Sequence, residues 1–387
     1  MAIQAEEEKV PLVATIATTT ATTATSKAGD ETELFEYTPP QFFGADSRVP
    51  KWLQAWISDL YIFITIHYNF WGVPFLVAFY MLYQRGYGLV VVAILAVYAP
   101  SFLSGVEKTA QGRPWDLVRM SRYWLLNANF VGIKIFREQD LDATKRYIFG
   151  FHPHGIIILS RIATYGGTWE AVFPKIITRV GHVESLMTNA FVCILLPLAA
   201  LGASSIFGVP LARELCLWLG VVDASRSTAD KVLKKDYSIC VYPGGVPEIF
   251  LVDPKSKETT IVLKERLGFV KLAIRHGAEL VPTFVFGEKW FFNVWSPPKS
   301  VISFFRKVLK IPIIVFWGRF MWMPKRLPEG KTFGVVYGKP IATAQKDEPT
   351  EADIRAVHAL YMAEIERIFE QYKARYGYDA DEKLVIT

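Results

Sequence analysis

The chain has 387 residues, 51% of them hydrophobic and 14% aromatic, with a mean hydropathy of +0.23. So apolar a composition is unusual for a water-soluble domain and points to membrane contact. The formal charge of +6 is modest for the length; it excludes a dedicated nucleic-acid binder and suits an anionic lipid surface or an anionic cofactor.

The first ten residues, MAIQAEEEKV, are acidic where a secretory signal would be basic. Residues 14–26, ATIATTTATTATS, are of low complexity, and residues 1–45 read as a disordered tail. Two stretches without Asp, Glu, Lys or Arg follow, Leu60 to Gln84 and Gly86 to Val106, separated by Arg85 alone. Each is long enough to cross a hydrocarbon core, which takes about 20 residues. So short a link predicts an antiparallel hairpin, transmembrane or re-entrant, within residues 46–108. His67, Asn69 and Pro74 favour a bend in its first half, and a buried hairpin of a soluble protein is the alternative. Arg48 and Lys51 before it, with Lys108 and Arg113 after it, put both ends on the cytosolic side. A third uncharged stretch, Ser185 to Ala212, is broken by Pro197 and Pro210; it reads as a membrane-dipping segment or the wall of a lipid cavity.

From Thr109 onward short apolar runs alternate with amphipathic segments. RYIFGF (146–151), YSICVYP (237–243), AELVPTFVFG (278–287) and TFGVVYGKPI (332–341) are β-branched or aromatic and bounded by Gly or Pro, which predicts buried strands. STADKVLKKD and LKERLGFVKLAIRHG have helical spacing, the second stopping at Gly277. The last helix starts at Thr350, whose spacing to Asp353 is that of a capping box; His358 within it carries no expected chemistry. Residues 109–387 therefore read as an α/β domain with a mostly parallel sheet and flanking helices. Aromatics interleaved with Lys and Arg from Trp290 to Arg326 suit either a headgroup-level segment or an aromatic-rich core flap. Cys193, Cys216 and Cys240 are widely spaced and read as buried, reduced thiols rather than a zinc site.

Only six His occur, and two of them flank one proline in FGFHPHGIIIL (149–159). A strand before the motif and a helix after it would place His152 and His154 at the ligand-binding edge of an open sheet. Proline stiffens its neighbours, and imidazole can take a proton from an alcohol near neutral pH. A metal-binding pair and a plain structural turn are the competing readings. In VYPGGVPEIF (241–250), Gly244 and Gly245 can bring main-chain N–H groups close to an oxyanion or phosphate, and Glu248 can orient a histidine. Arg266, Lys271 and Arg275 make a short basic surface that fits the phosphates of a CoA, or plain solvent.

HPHG (152–155), YPGGVPE (242–248), RLGFVKLAIRHGAELVPTFVFGE (266–288) and VVYGKPI (335–341), in this order, resemble the type-2 diacylglycerol acyltransferase family. The resemblance covers roughly Arg113 to Tyr376 and the preceding hairpin. It implies a glycerolipid-acyltransferase-like fold and an enzyme of the endoplasmic reticulum membrane and lipid droplet surface. Its substrates would be acyl-CoA and diacylglycerol, giving triacylglycerol, among membrane lipids, with no cofactor beyond acyl-CoA as co-substrate and no metal. A homo-oligomer stays open. On this reading His154, with His152, is the general base, and Gly155, Gly244 and Gly245 cradle the oxyanion. A thioester is already activated, so no Ser or Cys nucleophile is needed.

More distant glycerolipid acyltransferases carry a His-x4-Asp motif. Here the position five residues after His154 is Leu159, and after His152 it is Ile157, so Glu248 is the candidate for the missing acid. The family's neutral-lipid motif is matched only in part, by FLVAFYML (75–82). Monoacylglycerol or a fatty alcohol is the alternative acceptor, and a noncatalytic lipid-droplet hairpin protein is the alternative class.

Overall fold

The structure is a computed structural model that describes residues 34–68, 71–182, 205–295, 315–320 and 323–387. The Thr-rich stretch, most of Ser185 to Ala212, Cys193, and much of the segment from Trp290 to Arg326 lie outside the described residues.

Twelve strands follow one another among the described residues. They are β1 (Phe35–Tyr37), β2 (Ile133–Arg137), β3 (Tyr147–His152), β4 (Thr178–His182), β5 (Val221–Asp223), β6 (Ser238–Val241), β7 (Glu258–Ile261), β8 (Glu279–Phe286), β9 (Asn293–Trp295), β10 (Val315–Trp317), β11 (Phe333–Tyr337) and β12 (Lys383–Ile386). Eight of them form one sheet in the order β1-β2-β11-β8-β3-β6-β4-β5. Its pairings are parallel except for β1 with β2 and β11 with β8. The four predicted strands are β3, β6, β8 and β11.

Strand β3 lies inside the sheet, parallel to β8 on one side and β6 on the other. Both of its faces are covered, so the run is apolar throughout rather than alternating. Tyr147, Phe149 and Phe151 enter the core on one face, while Ile148 packs with the helix Glu351–Tyr372 on the other. Gly150 is required there, because the Tyr361 hydroxyl donates to its carbonyl at 3.0 Å and a Cβ would lie 2.1 Å from that oxygen. The helix begins with the predicted capping box, Thr350 and Asp353 each bonding the other's main chain. His358 donates to the Leu263 carbonyl at 3.0 Å and takes no part in the site described below.

The N-terminal apolar region departs from the expected two-helix hairpin. Residues before the bend form helix α1 (Lys51–Ile66), which docks on the domain: Ile62 is buried and Thr65 bonds Asn127. His67 and Tyr68 then leave α-helical geometry. The His67 ring pairs with the Phe63 carbonyl at 2.7 Å, and the Cys216 thiol donates to the Tyr68 hydroxyl at 3.8 Å. Helix α2 (Gly72–Gln84) restarts with Pro74 in its first turn, where the missing N–H costs nothing, and α3 (Gly88–Leu103) returns beside it. Polar groups that find partners in the domain break the apolar run, so the hairpin is α2–α3 alone. Its surface carries exposed Phe75, Leu76, Leu89, Val92 and Val97. Among the described residues, Gly88–Lys108 is long and apolar enough to cross a membrane, whereas Gly72–Gln84 is shorter.

A charge network fixes the hairpin to the domain. Arg213, 1% exposed, pairs with Glu107 at 2.8 Å and Glu214 at 2.7 Å. Glu214 also accepts from Tyr98 and Ser101 of α3, both at 3.2 Å. Removing one partner of a buried pair strands the other charge, so Arg213→Ala should cost about 3–5 kcal/mol of stability. Thermal unfolding in detergent micelles measures it; a loss below about 1 kcal/mol, the range of exposed pairs, would show the network to be idle.

Candidate active site

Strand β3 ends at His152, and the chain turns through a cis His152–Pro153 peptide to His154 and Gly155, the latter at φ 70°. Both histidines are fully buried. Their rings meet different aromatic neighbours. His152 continues the β3 pattern onto the face under the Glu351–Tyr372 helix, its ring edge-on to Tyr361 at 5.9 Å. His154 lies past the strand end, its ring edge-on to Tyr242 at 5.6 Å, and the Tyr242 hydroxyl meets Ser160 at 3.2 Å. Burial holds the Tyr242 phenol well above its ordinary range.

The His154 ring has an assigned tautomer. Its Nδ1 lies 2.9 Å from the Gly155 carbonyl oxygen, which can only accept, so Nδ1 carries the proton and Nε2 is the basic nitrogen. Glu248, 1% exposed, bonds the turn differently from the expectation. Its Oε2 accepts the His154 main-chain N–H at 2.6 Å and its Oε1 the Val262 N–H at 2.9 Å. The acid thus fixes the main chain of His154 and not its ring. The imidazole nearest Glu248 is that of His152, whose Nδ1 lies 3.7 Å from Oε1.

Glycine is forced at two positions by carboxyl groups. A Cβ on Gly244 would lie 1.9 Å from Cδ of Glu248, and one on Gly155 would lie 2.2 Å from Cδ of Glu288. Gly245, at φ 60° and ψ −156°, occupies a region that side chains avoid. The packing reason for Gly155 and Gly244 is therefore the close approach of acids, which an oxyanion cradle did not anticipate.

Glu288 is the residue the sequence reading passed over. Its Oε1 accepts the Leu159 N–H at 2.6 Å. Burial pushes its carboxyl up to about 8; the Leu159 bond works against that rise and the Glu248 carboxylate adds to it. The bond also explains why GIIILSRIATYGG does not form the expected α-helix and reaches only a 3-10 helix at Leu159–Thr164. A helix would pair Leu159 N–H with the Gly155 carbonyl four residues back. Glu288 takes the donor and His154 Nδ1 takes the acceptor. The signal available was an acid directly after the Gly that ends strand β8, at the same sheet edge as the histidines.

Over residues 80–387 the chain matches the family model described as "Diacylglycerol acyltransferase". The chain belongs to the diacylglycerol acyltransferase family. The 2-acylglycerol O-acyltransferase 1 of Mus musculus is 31% identical over 71% of this chain and 79% of its own. The diacylglycerol O-acyltransferase 2 of Mus musculus is 31% identical over 71% and 69%, and diacylglycerol O-acyltransferase 1 of Schizosaccharomyces pombe 30% over 87% and 92%. The crystal structure of the 1-acyl-sn-glycerophosphate acyltransferase PlsC from Thermotoga maritima aligns at a TM-score of 0.36 and 12% identity, covering 82% of this chain and 98% of that one. At that score no fold relationship is drawn. Family membership makes the protein an O-acyltransferase of lipid biosynthesis that acts on glycerolipids.

The basic residues of this acyltransferase do not converge. Arg266 donates to the Gly244 carbonyl at 3.4 Å and lines a cavity of about 360 Å³ together with Asp223, Tyr242, Pro243 and Phe269. Lys271 is exposed on the Gly268–His276 helix, and Arg275 leans toward Asp230 at 3.9 Å. Tyr242 is thus a wall shared by the cavity and the His154 ring. Of the aromatics from Trp290 on, Trp290, Phe291 and Phe292 are core residues, whereas Trp295, Trp317 and Phe320 are exposed.

Gly244→Ala should disrupt the site, since the new methyl meets the Glu248 carboxyl and not solvent. Acyl transfer is expected to fall at least tenfold, about 1.4 kcal/mol or more at the transition state. Gly268→Ala, whose Cβ meets nothing within 4 Å, is the control. Equal activity of the two variants would contradict the steric account.

Proposed function

We propose that this family member moves a fatty acyl group from acyl-CoA to the free hydroxyl of diacylglycerol, giving triacylglycerol, with His154 as general base. The observation that carries the reading is the tautomer of His154: Nδ1 is committed to the Gly155 carbonyl, so Nε2 holds the lone pair a base needs. In the reaction Nε2 takes the proton of the acceptor hydroxyl while that oxygen attacks the thioester carbonyl. As the tetrahedral adduct collapses, the C–S bond breaks and the imidazolium returns its proton to the CoA sulfur. Main-chain N–H groups of Gly155, Gly244 and Gly245 are the proposed donors to the oxyanion. His152, against Tyr361, shapes the turn from beneath.

Acyl-CoA is proposed to lie along the cavity beside Tyr242 and Pro243, with Arg266 toward its phosphates. The volume is within the range of small-ligand sites. The apolar outer surface of α2–α3 supports insertion into the endoplasmic reticulum membrane, reaching lipid droplets, with the sheet edge on the cytosolic side. A monoacylglycerol acceptor is the competing reading, favoured by the likeness to 2-acylglycerol O-acyltransferase 1.

His154→Ala should lower acyl transfer by about 10²–10⁴-fold while the protein still inserts into membranes. The assay supplies radiolabelled acyl-CoA with diacylglycerol, monoacylglycerol or fatty alcohol in turn. Near-normal triacylglycerol synthesis by the variant would sink the assignment, and preference for another acceptor would move the substrate. Turnover with none would favour a noncatalytic hairpin protein. Arg266→Ala should raise the KM for acyl-CoA about fivefold, close to 1 kcal/mol, with Lys271→Ala unchanged. Equal effects from both would remove the cavity as the CoA site.

A further inference from the structure

Glu288 takes no part in the chemistry above, yet it touches both ends of the turn that carries His154. Its Oε1 holds the Leu159 N–H, and its carboxyl lies against Gly155, whose carbonyl holds His154 Nδ1. The residue is 3% exposed, and its Oε2 has no hydrogen-bond partner among the described residues. We propose that Glu288 is a positioning residue for acyl transfer and works as the neutral acid, keeping the 154–159 turn from closing into a helix and so preserving the His154 tautomer. This rests on the reading of His154 as the base.

The mechanism is a competition for one acceptor. If Glu288 lets go, the Leu159 N–H is free to bond the Gly155 carbonyl, the helical partner four residues back. It then competes with Nδ1 for the atom that sets which ring nitrogen is basic. Glu288 also restores a carboxyl group at the chain position where His-x4-Asp would place one: the side chain arrives from the end of β8, and Leu159 supplies only its main chain.

The protonation state follows from what faces the group. Glu248 faces it from the Val246–Ile249 helix, Tyr242 from the end of β6 and Tyr378 from the C-terminal segment. Arg161, on the 3-10 helix, neighbours Tyr242, and His154 shares the turn. Lys289, next in the chain, is turned to Glu382. A second anion here would meet the Glu248 carboxylate with no counter-ion against it among the described residues, and burial already holds the Glu288 proton to about pH 8. Below that value the acid is neutral and the turn is set; above it a carboxylate buried away from water and opposed by Glu248 is penalised more than its Leu159 bond repays, and the turn loosens.

The test uses the full chain in membranes, with labelled acyl-CoA and diacylglycerol, from pH 6 to 9.5. Wild-type kcat should fall above about pH 8, approaching tenfold per pH unit. Glu288→Gln keeps the acceptor for Leu159 and cannot ionise. It should remain within about threefold of wild type at pH 7 and lose that alkaline limb. Glu288→Ala should lose at least about tenfold at every pH. The proposal is overturned if Glu288→Gln keeps the wild-type alkaline limb, if it is as inactive as Glu288→Ala at pH 7, or if Glu288→Ala matches wild type. Thermal unfolding of each variant at pH 7 distinguishes a lost fold from a lost turn: inactivity of the Ala variant with an unchanged midpoint supports positioning, and activity restored by Gln supports it whatever the Ala midpoint. Activity in His154→Ala, run alongside, would instead fail the reading of the base.

Discussion

Two buried carboxyls grip the main chain of a single turn, Glu248 at the His154 N–H and Glu288 at the Leu159 N–H, and the rest of the site is arranged around that grip. A buried acid needs donors or a proton, and both acids find donors in main chain that would otherwise bond to itself. The glycines follow from this: carboxyl groups packed against Cα leave no room for a side chain at Gly155 or Gly244. So does the 3-10 geometry after the motif, because the i to i−4 bond that would start an α-helix has lost both its partners. The Gly155 carbonyl, left over by the missing helix, is the group that fixes the His154 tautomer. One arrangement of acids therefore accounts for glycine placement, local backbone and the basic nitrogen together.

The sheet supplies the rigid frame for that turn. Strand β3 is hydrogen-bonded to parallel neighbours on both sides, and the end of β8, which carries Glu288, lies beside the end of β3. The end of β6 leads through Gly244 and Gly245 into the short Val246–Ile249 helix that carries Glu248. Both acids thus reach the turn from strands adjacent to it. At the other extreme of the chain, the buried Arg213 network ties α3 to the domain through charges and hydroxyls. Such a contact is strongly directional, unlike an apolar one between surfaces that both prefer lipid. It holds the exposed apolar surface of α2–α3 at one orientation to the sheet edge that carries the histidines.

Much of this frame could be read from residue order, because it depends on local pattern. Short β-branched runs ending in Gly or Pro gave β3, β6, β8 and β11, and the spacing of Thr350 to Asp353 gave the capping box. The break between α1 and α2 was visible only as a hint, in His67, Asn69 and Pro74, since what ends α1 is partnership with Cys216 and with the Trp124–Val131 helix, both distant in sequence. The two histidines were correctly taken as adjacent to a sheet edge. Alternation along β3 would put residues two apart on one face; the two histidines separate because the strand stops at His152 and the chain turns before His154. Glu248 was found, but not that it would reach His154 through the main chain: a glutamate in one helical turn has no pattern that says ring or main chain. Glu288 was missed because its role exists only in the pairing of β8 with β3.

The mechanism's indifference to the acceptor has a structural counterpart. The base proposed at Nε2 would take a proton from any alcohol placed beside it, and the relatives that share the family are named for both diacylglycerol and 2-acylglycerol substrates. Acceptor choice must then come from walls that sense a second acyl chain. Burying a few extra methylenes distinguishes ligands by about 1–3 kcal/mol for each well-filled step, so a long apolar surface can discriminate by accumulation where one polar contact would not. Tyr242 lines the cavity beside Arg266 and meets the His154 ring, and it also stacks on Phe151, which packs with Tyr337 and Phe149 into one continuous cluster. A wall of rigid rings at close packing yields little to an ill-fitting chain. On the proposed reading, acceptor choice falls to the apolar packing around Tyr242, while the two acids position the main chain that carries His154.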